Sequence, residues 1–167
     1  MDATLKAKLE LLAAAARSGL EAMTSKERGL EFGSFPHGTC GPVSELMGRI
    51  VLEQTGHEGI YVCGDGHPAL KPQQSHAWLE VGGVIVDLTH DQFEGTELVG
   101  WVHETSPWHA KFDREPHGLC LKPNQWGMYP YAAYAAMKRA CDAVVLTQNV
   151  VAVHDRCHSI IGPHATY

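Results

Sequence analysis

The 167-residue sequence lacks any apolar run approaching the 18 or so residues that a membrane span needs. It also lacks a lysine/arginine run. Thirteen basic residues stand against nineteen acidic ones, a formal charge of −6, which argues against a nucleic acid or an anionic membrane as partner. None of the five cysteines, Cys40, Cys63, Cys120, Cys141 and Cys157, pairs at the C-x-x-C spacing of a zinc knuckle or redox motif, and the odd count disfavours a disulfide framework. There is no internal repeat and no low-complexity segment. No export signal is recognisable. Residues 11–16 are apolar, but Lys6, Lys8 and Glu10 precede them, and Leu5, Leu9, Leu12 and Leu20 fall near one helical face. The segment reads as an amphipathic helix, so the expected compartment is the cytoplasm, with signal-independent secretion as the alternative.

What is present reads as a single domain over residues 1–167. Apolar residues make up 44% and charged residues 19%, ordinary usage for a chain that buries a core. The first thirty residues read as helix, ending near Arg28-Gly29. A Gly/Pro-rich stretch follows through residues 32–42. Val43, Leu46, Met47, Ile50 and Val51 then predict a helix over about residues 42–54, with Pro42 in its first turn and Gly56 as its stop. Residues 60–63 read as a strand and 64–74 as a loop. Two further strands, 75–81 and 84–89, flank Gly82-Gly83, a strong hairpin signal. Residues 98–102 suggest another strand, residues 103–129 show no regular pattern, and residues 130–158 form a C-terminal helical segment. The expected class is α+β, with helices packed on a small antiparallel sheet.

The hairpin carries the chemistry. A two-residue turn at Gly82-Gly83 pairs Val81 with Val84, which sets Trp78 against Asp87 and His76 against Thr89. Ala77, Leu79, Val81, Val84, Val86 and Leu88 then share one wholly apolar face, the core face. His76, Trp78, Glu80, Ile85, Asp87 and Thr89 share the other. There His76 and Asp87 are diagonal neighbours, close enough for an imidazole to meet a carboxylate. Cys40 stands where a helix begins, so the positive end of the helix dipole and free N–H groups favour its thiolate. The three residue types suit a nucleophile, a base that then acts as acid, and a group that orients the imidazole and steadies its charge.

Cys40 at a helix start, His76-Ala77-Trp78-Leu79-Glu80-Val81 on one strand and Val86-Asp87-Leu88-Thr89 on the next resemble the transglutaminase-like core of the papain-like thiol-enzyme superfamily. Its members read Cys, then His-x-Trp-x-Glu, then Asp. Arylamine N-acetyltransferases and the leader peptidases of lasso-peptide pathways are similar in order and approximate spacing. So are small bacterial proteins with a Ser-His-Ala-Trp-Leu-Glu stretch followed by Asp-x-Thr-x-Asp-Gln-Phe, which matches residues 87–93 here. The resemblance covers residues 35–93. It implies a catalytic triad of Cys40, His76 and Asp87 that works through an acyl-enzyme on an amide, thioester or ester, with a peptide, protein or small acyl compound as substrate and no cofactor. Papain-type proteases place a glutamine six residues before the cysteine, where this chain has Ser34. Gln74 and His37 are then the candidates for the second oxyanion donor, and Trp78 is read as a wall of the cleft.

Other readings compete. A glutamine deamidase delivered to another cell would use the same triad, and a non-catalytic module could keep the fold to bind a protein. Asp91 rivals Asp87. His154 and His158 sit one helical turn apart, but no third ligand has a matching spacing, so no metal site is assigned. Asp87, His90 and Asp91 could chelate a cation only at the expense of the triad.

Overall fold

A computed structural model describes residues 3–71, 73–118 and 128–160, with side chains at 3–71, 73–118 and 130–147. Helix α1 (Ala3–Glu21) buries the stripe of Leu5, Leu9, Leu12, Ala16 and Leu20. The helix expected over the first thirty residues is two helices. Thr24 starts α2 (Ser25–Arg28) with a reciprocal capping box, its side chain accepting from the Glu27 N–H while Glu27 accepts from the Thr24 N–H. Helix α3 (Cys40–Thr55) ends at Gly56, whose φ of 74° is the left-handed cap that glycine adopts without strain. Helix α4 (Met128–Ile160) forms the C-terminal segment.

Five strands, β1 (Ile60–Asp65), β2 (His76–Val81), β3 (Val84–Val86), β4 (Val102–His103) and β5 (Asp113–His117), form one antiparallel sheet in the order β4-β3-β2-β1-β5. The hairpin register is the one the sequence predicts: Leu79 pairs with Val86, Glu80 with Ile85 and Val81 with Val84. Its apolar face packs against α1, α3 and α4 in the main core. Helices α1 and α4 approach so closely that a Cβ on Gly19 would sit 2.7 Å from the Ala136 carbonyl oxygen.

Three expectations are corrected. The second hairpin strand, placed at residues 84–89, is only Val84–Val86, because from Asp87 the backbone turns to the Trp101 carbonyl (2.9 Å). The strand placed at residues 98–102 is only Val102–His103, because Gly95 and Gly100 take positive φ and keep the chain before it in a loop. Residues 103–118 are not patternless in space. They hold a 3-10 turn (His109–Lys111) and β5, which pairs with β1. All five residues of β5 are exposed, so it carries no apolar alternation to read, and its Pro116 is the kind of residue an edge strand tolerates. This segment covers the second sheet face, where Val62, Trp78 and Phe112 form a smaller core flanked by Trp108 and Ile85. Among the described residues no helix is long and apolar enough to cross a membrane.

Candidate active site

The chain reaches Cys40 through a tight loop. The N–H of His37 donates to the Ser34 carbonyl (2.8 Å) and that of Thr39 to Pro36 (3.4 Å), with the Thr39 hydroxyl on the same Pro36 oxygen (2.8 Å). The Val43 N–H then bonds the Thr39 carbonyl (3.0 Å) and α3 begins. The Ser44 hydroxyl donates to the Ala77 carbonyl (3.2 Å) and ties this first turn to β2. Burial pushes the Cys40 thiol pKa up. A hydrogen bond from His76 and its positive charge, with the N–H groups of Ala77 and Gly41, outweigh burial and bring it below the ordinary value.

His76 opens β2 opposite Gly64 of β1. A Cβ on Gly64 would lie 2.7 Å from Phe112 and 2.8 Å from Trp78, so glycine there lets the aromatic layer close. The His76 ring is fully buried, edge-on to Phe93 at 5.1 Å and to Trp108 at 5.4 Å. Its Nε2 donates to Asp87 Oδ2 at 2.7 Å, which leaves Nδ1 for the thiol. Burial lowers the imidazolium pKa, but the Asp87 carboxylate, with a smaller contribution from Cys40, holds it up at about 9. The site can therefore hold a thiolate beside an imidazolium.

Asp87 lies just past the end of β3, with its N–H on the Trp101 carbonyl (2.9 Å). Its carboxylate is fully buried and saturated. Oδ1 accepts from the Thr89 N–H (2.9 Å) and hydroxyl (3.2 Å), and Oδ2 accepts from His76 and from His109 Nε2 (3.0 Å). Burial alone would raise its pKa, yet the two histidines drive it far below the usual carboxylate range. Burial pushes the His109 pKa down and the positive charge of His76 adds to this, which together outweigh the Asp87 carboxylate pulling it up. The Ser106 hydroxyl donates to its Nδ1 (2.7 Å), which fixes the tautomer that offers Nε2–H to Asp87.

His76, Asp87 and His109 bring three ligand atoms within 4.8 Å of one another, a donor set that could surround a cation. Two ligands on one tetrahedral zinc, each at about 2.0–2.1 Å from the metal, would stand roughly 3.3 Å apart. The 2.7 Å between His76 and Asp87 is instead the length of a charge-assisted hydrogen bond.

The remaining expected site residues are dispersed. Trp78 is fully buried, so it is no wall of an open cleft. It underlies the His76 ring and donates its Nε1–H to Glu80 (3.0 Å). Gln74 is exposed and accepts from the Lys71 N–H (3.0 Å), closing its own loop. His37 is exposed on the loop before Cys40. Trp108 lies edge-on to His76 at 5.4 Å and also borders a pocket of about 440 Å³ with Leu98, Pro107 and Lys111. Asp91 is occupied by Arg17, whose two terminal nitrogens reach its two oxygens at 2.8 Å each. His90 donates Nε2 to the Gly100 carbonyl (2.8 Å). Cys63 is half-buried, and the buried Cys141 thiol donates to the Leu12 carbonyl (3.4 Å). Cys120, Trp126, and the side chains of Tyr129, His154, Cys157 and His158 lie outside the described residues.

Three residues of the site were not singled out from the sequence. His109 and Ser106 sit in the stretch without pattern. Gln92 belongs to the Asp-x-Thr-x-Asp-Gln-Phe match, which was the one available pointer. Its Oε1 accepts from the Gly38 N–H (3.2 Å), its Nε2 donates to the Thr89 carbonyl (3.0 Å), and that nitrogen stands 3.4 Å from His76 Nδ1. Compared with protein-family models, curated proteins and solved structures, the chain finds no match.

Proposed function

We propose that this chain is a cysteine-dependent acyl-transfer enzyme on a transglutaminase-like or papain-like core, an amide hydrolase, peptidase or transglutaminase-like enzyme that passes through a thioester acyl-enzyme. One observation carries the reading: a lowered thiol at the start of a helix, an imidazole and a saturated buried carboxylate stand in one line of contacts, although they come from three separate elements. In this reading the Cys40 thiolate attacks a carbonyl carbon, the S–C bond forms and the C=O π pair moves onto oxygen. Collapse restores the carbonyl and expels the leaving group, which takes a proton from His76 Nδ1. Water or an amine then attacks the thioester carbon and gives a proton to His76; the second tetrahedral intermediate collapses, the C–S bond breaks and the Cys40 thiolate leaves, while Asp87 holds the ring and its charge.

Iodoacetamide tests the assignment. Cys40 is expected to alkylate rapidly well below the unperturbed cysteine pKa of about 8.5, and Cys40→Ala is expected to abolish the rapid labelling. Full-strength labelling of another cysteine in the variant overturns the nucleophile. A Cys40 no faster than an ordinary thiol favours the non-catalytic binding module. Intact mass after exposure to acyl donors would reveal a trapped thioester and the acyl group it carries. Ammonia released from glutamine without chain cleavage would assign deamidation.

A further inference from the structure

An acyl-enzyme mechanism concentrates negative charge on one oxygen as the tetrahedral intermediate forms, and that oxygen needs donors already in place. The N–H of Cys40 is one, since the first residue of a helix has no intrahelical acceptor. The loop before it offers no second. The N–H groups of His37, Gly38 and Thr39 already bond Ser34, Gln92 and Pro36, Gly41 turns its N–H to the sulfur, and Pro42 has none.

Gln92 supplies what the loop does not. The 3-10 turn His90–Gln92 fixes its backbone, with its N–H on the Thr89 carbonyl (3.0 Å). The orientation of its amide is forced. Reversal would set the NH₂ against the Gly38 N–H and the carbonyl oxygen against the Thr89 carbonyl. One hydrogen on Nε2 is used by Thr89. The other lies on the side of His76 Nδ1, the ring atom left for the thiol, at 3.4 Å. When His76 is an imidazolium, Nδ1 is itself a donor and cannot accept from that second Gln92 N–H. Gln92 is only half-buried, so a substrate can approach it.

We propose that Gln92 Nε2–H is the second oxyanion donor, acting with the Cys40 N–H on the carbonyl oxygen of the bound acyl group; this rests on the acyl-transfer reading above. It assigns a role that the chemistry of papain-type proteases gives to a residue before the cysteine to one that lies after the aspartate.

The test compares two reactions of the same thiol in the full chain. With p-nitrophenyl acetate an oxyanion forms; with 2,2′-dithiodipyridine the thiolate attacks sulfur and none does. Gln92→Ala and Gln92→Glu are expected to slow release of p-nitrophenolate by about 10²–10³-fold, the usual cost of one oxyanion donor. Gln92→Ala should leave the disulfide rate within about twofold, which also reports that the thiol and its surroundings are intact. Gln92→Glu keeps the acceptor for Gly38 and removes the donor, but it also adds a negative charge beside His76, so Gln92→Ala carries the comparison and the disulfide rate of Gln92→Glu reads the effect of that charge on the thiol. Equal slowing of both reactions makes Gln92 a structural strut and overturns the proposal, as does an unchanged ester rate. If wild-type Cys40 shows no accelerated reaction with either probe, the acyl-transfer reading itself falls. Fast wild-type acylation with unaffected Gln92 variants sinks only the donor assignment.

Discussion

Asp87 accepts from four donors with no water between, so its charge is held by geometry rather than by solvent. Its lowered pKa contributes stability that is present above the ordinary aspartate value of 3.8 and is lost as pH falls further. His76 works with the opposite sign. Its pKa is raised from 6.5 to about 9, so its contribution is complete below 6.5 and is lost as pH rises through about 9. In Cys40→Ala, which removes the thiol's own titration, the urea midpoint is expected to fall between pH 7 and 9.5. A flat or rising profile would show that His76 is not held charged. In the wild type, the iodoacetamide rate should rise as Cys40 ionises below the ordinary cysteine range and follow a second transition where His76 loses its proton. His109→Leu removes a donor from a buried carboxylate and is expected to cost about 1–3 kcal/mol, measured by denaturant unfolding. At this scale His76 and Asp87 were legible because strand alternation fixes faces from local residues alone. His109 and Gln92 were not, since each gains its meaning from a partner 22 or 16 residues away that no periodicity connects.

Elements were readable where they bury one side. The hairpin gave its register because a slip of one residue would have exposed its apolar face, and α3 gave its extent through one stripe and a glycine stop. Strand β5 was hidden because both its faces are exposed and its pairing with β1 is made by the backbone. The contact between α1 and α4 depends on Gly19. Alanine at that position gains about 1 kcal/mol in helix propensity but meets the Ala136 carbonyl oxygen at 2.7 Å, an overlap with backbone that costs about 1–3 kcal/mol. Gly19→Ala is expected to lower stability, and a raised thermal midpoint would mean that the two helices slide apart without loss.

Across the whole molecule, Arg17 joins the N-terminal helix to the site. Its guanidinium lies 4.6 Å from the ring centres of both Phe35 and Trp101, donates to the Leu88 carbonyl (2.6 Å) and pairs with both oxygens of Asp91. It thus fixes the segment that follows Asp87 and packs on the loop that precedes Cys40. Breaking a buried pair costs about 3–5 kcal/mol. Asp91 keeps 38% of its side-chain surface, so Arg17→Met is expected to lose somewhat less, about 2–3 kcal/mol. Equilibrium unfolding in urea measures this, and the iodoacetamide rate of Cys40 should drop with it. Arginine on a mostly apolar helix gave no hint of this role: beyond Glu21 on its own helix, the partners that tie it to the site come from residues 35 to 101.

The Arg17 clamp bears on miniaturisation. Residues 35–93 hold the cysteine, histidine and aspartate, and would be the natural excision for anyone seeking a minimal version of the proposed site. Yet the braces of that stretch come from outside it: the guanidinium at 17, the indole at 101, and the serine and histidine at 106 and 109. A trimmed version would retain the reactive atoms and lose what aligns them.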